Sequence, residues 1–169
     1  MARRYGTEVD FARTFSPDKQ MDYCTDTARC LFGTAPALAQ LNRAYNPTSA
    51  RNWVAIQLSD INEFCSCQRK MTIDQIRQCA AMVATEFFYL KVTELMLFCW
   101  RFKSGTYGRF YGSVDPMVIL EALRRFARER DQAYAARDRQ KARPKADDNA
   151  ISYEEWLRIR DEWKMKNGE

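Results

Sequence analysis

The sequence predicts an all-α fold: a compact bundle of five or six helices with a glycine-rich aromatic loop, one long basic helix and an appended C-terminal helix. Three observations predict it. Apolar residues recur three and four positions apart almost throughout, the spacing of one helical face. Capping residues and first-turn prolines stand where these stretches begin. Half of the six glycines fall between Gly105 and Gly112, which leaves the rest of the chain nearly free of helix breakers.

The elements follow in order. Residues 1–15 are ambiguous and read as an N-terminal arm. Ser16-Pro17 supplies a cap and a first-turn proline for a helix that Gly33 closes. A short helix starts near Pro36 and stops before Asn46-Pro47. From Thr48 to about Gln68, Trp53, Ile56, Ile61 and Phe64 share an amphipathic face. Thr72-Ile-Asp-Gln75 is a capping box ahead of Ile73, Ile76, Ala80, Val83 and Phe87 at helical spacing. Thr93 is expected to cap the helix Glu94–Ser104, whose all-round hydrophobicity marks it as the central element.

After the glycine loop, Asp115-Pro116 restarts a helix that runs to about Ala142. Its first half carries a core stripe of Ile119, Leu120, Leu123 and Phe126, and its second half is mostly charged. Residues 16–142 therefore form the helical domain and 143–151 a linker. A second capping box, Ser152-Tyr-Glu-Glu155, opens a docking helix over 152–169, with Trp156, Ile159 and Trp163 on one side.

Composition excludes several classes of function. A hydrophobic fraction of 46% with 29% charged residues belongs to a globular chain. The chain has no histidine, which removes the usual general base, the Ser/His and Cys/His nucleophile pairs and every metal site that needs imidazole. Cys65 and Cys67 with Cys79 and Cys99 lack the spacing of a zinc knuckle, so the six cysteines read as reduced thiols and core. Asp60/Glu63, Glu86 and Glu94 read as structural carboxylates pairing with Arg77, Lys91 or Arg101. An enzymatic role would require Glu86, Glu94 or Cys99 to line a pocket beside Lys103. The expectation is no enzyme, no metal and no cofactor. No apolar run approaches the length of a membrane span and no secretion signal is visible, so the chain is expected to be cytoplasmic, without a membrane partner.

The positive charge is local. Residues 101–145 carry twelve Lys/Arg against five Asp/Glu, whereas residues 1–100 carry eleven against ten and residues 146–169 four against seven. The excess coincides with Trp100, Arg101, Phe102, Lys103, Tyr107, Arg109, Phe110 and Tyr111 around the glycines. This spacing is neither a phosphate-binding P-loop nor a dinucleotide fingerprint. Glycine amides, basic side chains and exposed aromatics can together hold phosphates and stack on bases. The leading reading is a non-enzymatic nucleic-acid-associated accessory protein, and a second reading stands as its alternative. In the first, Lys103, Arg109, Arg124, Arg128, Arg137 and Arg139 contact nucleic-acid phosphates, with Tyr107 or Tyr111 stacking. In the second, the chain is a protein-interaction adaptor anchored by Trp156 and Trp163. Either is compatible with an oligomer.

The stretch from Thr72 to about Asp131, above all Phe102-Lys-Ser-Gly-Thr-Tyr-Gly-Arg-Phe-Tyr-Gly112, resembles a family of short uncharacterised proteins carried by bacterial phages and mobile elements. The resemblance implies a bacterial cytoplasm during element replication, defence evasion or transfer. It carries no activity, and it favours a nucleic-acid or replication partner.

Overall fold

The computed structural model describes residues 1–65, 69–108, 114–142 and 151–168. These residues contain ten α-helices, one 3-10 turn and no strand. The chain divides into two compact units, Met1–Arg130 and Asp131–Glu169.

In the first unit, α1 (Ala2–Tyr5) and α2 (Glu8–Thr14) occupy the stretch read as an arm. Thr7 caps α2 reciprocally with Asp10. Phe11 and Phe15 are almost completely buried and their rings lie 4.9 Å apart, with Tyr5, Tyr23 and Tyr45 around them. The Phe15 carbonyl accepts hydrogen bonds from Trp53 Nε1 at 3.0 Å and Gln57 Nε2 at 2.9 Å. The first fifteen residues are therefore pinned to the core by aromatic packing and by a buried polar anchor.

The segment 16–33 does not form one helix. A 3-10 turn (Pro17–Lys19) leads into α3 (Gln20–Cys24), the chain turns at Thr25-Asp26, and α4 (Thr27–Phe32) follows. Asp26 is the physical reason for the break: its carboxylate accepts from Arg29 N and starts a new helix in mid-segment. Gly33 ends α4 as expected, and a Cβ there would lie 2.4 Å from the Arg29 carbonyl oxygen.

Next come α5 (Leu38–Ala44), α6 (Ser49–Phe64) and α7 (Ile73–Glu86). The face α6 buries is Ala50, Trp53, Val54, Leu58 and Ile61; Ile56 and Phe64 sit at its exposed edge. The Thr72/Gln75 capping box forms as the sequence predicts. The central helix, α8 (Val92–Lys103), buries every residue from Val92 to Cys99 and then Phe102. Its start differs from the expectation. Thr93 lies inside the helix and donates its hydroxyl to the Cys30 carbonyl at 2.8 Å, so it is unavailable as a cap. Glu94 Oε2 accepts from Lys91 N at 2.8 Å instead, capping the helix from its own first turn.

Helix α8 packs on α3, α4 and α6, and α6 packs along α7. Residues 36–39 and 88–92 run past each other, exchanging Leu38 N to Leu90 O, Ala39 N to Phe88 O and Val92 N to Pro36 O at 2.9 Å each. The ammonium of Lys91 closes the same junction, donating to the Leu31 and Gly33 carbonyls at 2.8 and 2.9 Å.

The long helix α9 (Pro116–Ala142) has the predicted bounds. Asp115 Oδ1 accepts from Met117 N at its start. Its first half belongs to the first unit and buries Ile119, Leu120, Ala122, Leu123, Phe126 and Ala127. The second unit comprises the rest of α9 and α10 (Tyr153–Asn167). Ser152 caps α10, Gly168 ends it in the left-handed conformation, and α10 contains no buried residue. The linker expected at 143–151 lies almost wholly outside the described residues. Among the described residues no helix is long and apolar enough to cross a membrane.

Candidate interaction surfaces

Most of the described first-unit cations of the expected basic edge are matched by carboxylates. Helix α8 ends in a Schellman motif: Gly105 stands at φ +79°, Gly105 N donates to Phe102 O and Thr106 N to Arg101 O. The glycine thus serves as a helix stop. Lys103 turns back to Asp60, 2.7 Å away, with only 12% of its side chain exposed and its ammonium over the Phe64 ring. Arg101 and Arg125 share Glu129, at 3.5 and 3.4 Å. Arg124 pairs with Glu86 at 3.0 Å. Arg125–Glu129 is an i,i+4 pair within α9 and legible in the sequence, whereas the other three pairs bridge separate helices and are not.

Tyr107 packs its ring 5.7 Å from Phe98, with Arg125 over its face. Its hydroxyl is buried and, among the described residues, makes no hydrogen bond of standard geometry. Burial, followed by the Glu129 carboxylate, raises its pKa, while Arg101 and Arg125 act in the opposite direction. Tyr107 therefore belongs to the wall of the core more than to a stacking platform. Arg109 and Tyr111 lie outside the described residues. Arg128 is exposed on α9, and Arg139 is exposed and donates to the Ala135 carbonyl. Arg137 is half-buried and engaged.

Glu94 is the most enclosed charge among the described residues. It is fully buried, and besides capping α8 it accepts from Arg130 Nε at 2.9 Å; Arg130 lies over the Tyr89 ring. Glu86 is half-exposed. Cys99 is fully buried, and burial pushes its thiol up to about 12. Glu94, Cys99 and Lys103 are thus absorbed into packing and ion pairs, and none of them opens into the clefts described below. Among the described residues no group of histidine, cysteine or carboxylate side chains could hold a metal ion.

The second surface is α10. Trp156, Ile159 and Trp163 repeat at helical spacing and are 48%, 50% and 59% exposed. Tyr153 stacks on Trp156 with centroids 6.1 Å apart, and Arg160 lies over the same indole. Glu154 and Glu155 sit in the first turn and Lys164 and Lys166 in the last, matching the helix dipole at both ends.

The first unit also carries a groove and an apolar cleft, neither of them apparent in the sequence. A shallow groove between α6 and α7 is lined by Arg51, Ala55, Arg77 and Ala81. An apolar cleft of about 340 Å³ opens beside α2, with Val9, Phe11, Leu41, Tyr45, Trp53 and Ile56 among its walls. Neither announces itself locally, because each is assembled from residues more than twenty positions apart.

A model of a family of unknown function, DUF6633, matches residues 70–167, a span that includes α7, α8, the glycine loop, α9 and α10. No curated protein and no solved structure matches the chain.

Proposed function

The chain belongs to DUF6633, and from that premise we propose that it is a non-enzymatic, helical interaction adaptor whose terminal helix α10 docks into an apolar groove of a partner protein. One observation carries the reading: α10 holds two tryptophans and an isoleucine along one side and has no buried residue. A helix of this length is marginal alone in water. Large aromatic anchors on an amphipathic helix are the usual means of helix-in-groove recognition and dominate interface energetics. The family match runs to residue 167, so the tryptophan helix lies within the segment by which the chain joins its family.

The charges of α10 specify the groove. Its rim is basic where Glu154 and Glu155 enter and acidic where Lys164 and Lys166 leave. The resemblance to proteins of phages and mobile elements supports a bacterial cytoplasm as the setting and a host replication or defence protein as the partner. Nucleic acid ranks second, because Lys103, Arg124 and Arg125 are already paired with carboxylates. Among the described residues that reading rests on Arg128 and Arg139 with Lys141, with binding that weakens as salt rises.

The test compares the tagged full-length chain with its Trp156→Ala/Trp163→Ala variant in capture from bacterial lysate, with and without nuclease. The expected result is one stoichiometric, nuclease-resistant protein, lost with the double variant and competed off by a synthetic peptide spanning 151–168. Circular dichroism should show both chains equally folded. Capture that nuclease abolishes, capture that the double variant retains, or no stoichiometric partner at all overturns the proposal.

A further inference from the structure

The cleft beside α2 lies outside the family-matched segment, and its chemistry is specific. Its floor and walls are aromatic and aliphatic: Phe11 and Trp53 are buried at the base, Tyr45 is half-buried, and Val9 and Ile56 stand exposed at the rim. Trp53 is held by its hydrogen bond to the Phe15 carbonyl, and Tyr45 packs 5.8 Å from Phe11, so the walls are preformed. At about 340 Å³ the cleft falls in the size range of small-molecule sites.

Glu8 is the one charged side chain in the lining. It is half-buried and makes no ion pair among the described residues, unlike Asp60, Glu86, Glu94 and Glu129 elsewhere in the unit. What holds it is neutral: Asn46 Nδ2 donates to Glu8 Oε2 at 2.6 Å, and Asn46 is itself fixed by accepting from Thr48 N and Thr48 Oγ1. Nearby on α2, Asp10 is fastened to Thr7 and pairs loosely with Arg13 at 4.0 Å. Burial, then Asp10 and Glu8, raise the pKa of the Tyr45 phenol, as expected where negative charge is not fully compensated. A half-buried carboxylate without a cation is costly, and one set at the mouth of an aromatic cleft is complementary to a cation with an apolar body.

We propose that this cleft binds a small organic ammonium ion, its apolar or aromatic body against Phe11, Tyr45 and Trp53 and its ammonium on Glu8. The carboxylate supplies the charge, the rings supply apolar contact and cation–π attraction, and Asn46 keeps the carboxylate in place before the ligand arrives.

Phenethylammonium is the probe, with 2-phenylethanol as its neutral counterpart. A heteronuclear NMR titration of the full-length protein follows the Trp53 indole N–H and the Asn46 side-chain amide. Phenethylammonium should shift both signals saturably, and binding should weaken about tenfold or more for 2-phenylethanol and for Glu8→Gln. Ile56→Lys, which places a tethered ammonium on the α6 wall of the cleft, should block the probe and leave the rest of the spectrum folded. An absence of saturable shifts up to roughly 10 mM probe, in the range of affinities too weak to matter, overturns the proposal. So does equal affinity for the alcohol, or full binding by folded Glu8→Gln.

Discussion

At Glu94 a carboxylate without solvent contact serves two partners at once, Lys91 N and Arg130 Nε. Removing one member of a buried ion pair leaves the other charge without compensation, so Glu94→Ala is expected to cost about 3–5 kcal/mol. Urea denaturation measures the loss, and Arg130→Ala should come close to it. Cys99 sets the alkaline behaviour. Its thiol is neutral in the fold up to about 12, against an ordinary value of 9.0, because burial disfavours the thiolate. In the unfolded chain it ionises first, so the unfolded state holds fewer protons above pH 9. The stability contributed by the buried thiol is complete below pH 9 and is lost progressively as pH rises towards 12. Urea midpoints between pH 8 and 11 should therefore fall, and less steeply for Cys99→Ala than for the parent chain.

Helix termini show how far sequence alone can lead. Thr72/Gln75, Asp115/Pro116 and Ser152 start helices where the sequence predicts, because a cap is a contact between residues two or three apart. The end of α8 is equally local. Gly105 sits at φ +79° with open space around a Cβ, so Gly105→Ala carries the backbone cost alone, about 1–2 kcal/mol. A drop of that size in thermal or urea stability, without loss of fold, is the expected reading. What the sequence does not reveal is the set of contacts with distant partners. Helix α2 carries a local mark in its Thr7/Asp10 capping box, but what fixes it to the core is Phe15 O meeting Trp53 and Gln57, 38 and 42 residues away. Thr93 looked like a cap because its competing acceptor, Cys30 O, is 63 residues distant. The candidate site divides the same way. The tryptophan stripe of α10 is a pattern within one helix and was legible. The fate of Lys103 was not, since its partner Asp60 belongs to another helix.

Among the described residues of the first unit, most cations of the basic stretch are matched by carboxylates. Arg101, Lys103, Arg124, Arg125 and Arg130 each meet a carboxylate. The pairs tie α8 and the first half of α9 to each other and to α6 and α7. The passage of residues 36–39 along 88–92 has a further consequence, one of inheritance. The family-matched segment begins at residue 70, yet the donors and acceptors of Leu90, Val92 and Lys91 are satisfied by residues before 40. Helix α8 also buries its sides against α3, α4 and α6. A fragment spanning 70–167 is expected to lack cooperative thermal unfolding, and adding residues 1–69 as a separate chain should restore it. The family-matched segment holds only part of this chain's core, so moved alone into a new gene it is expected to need a counterpart of the first 69 residues in order to fold.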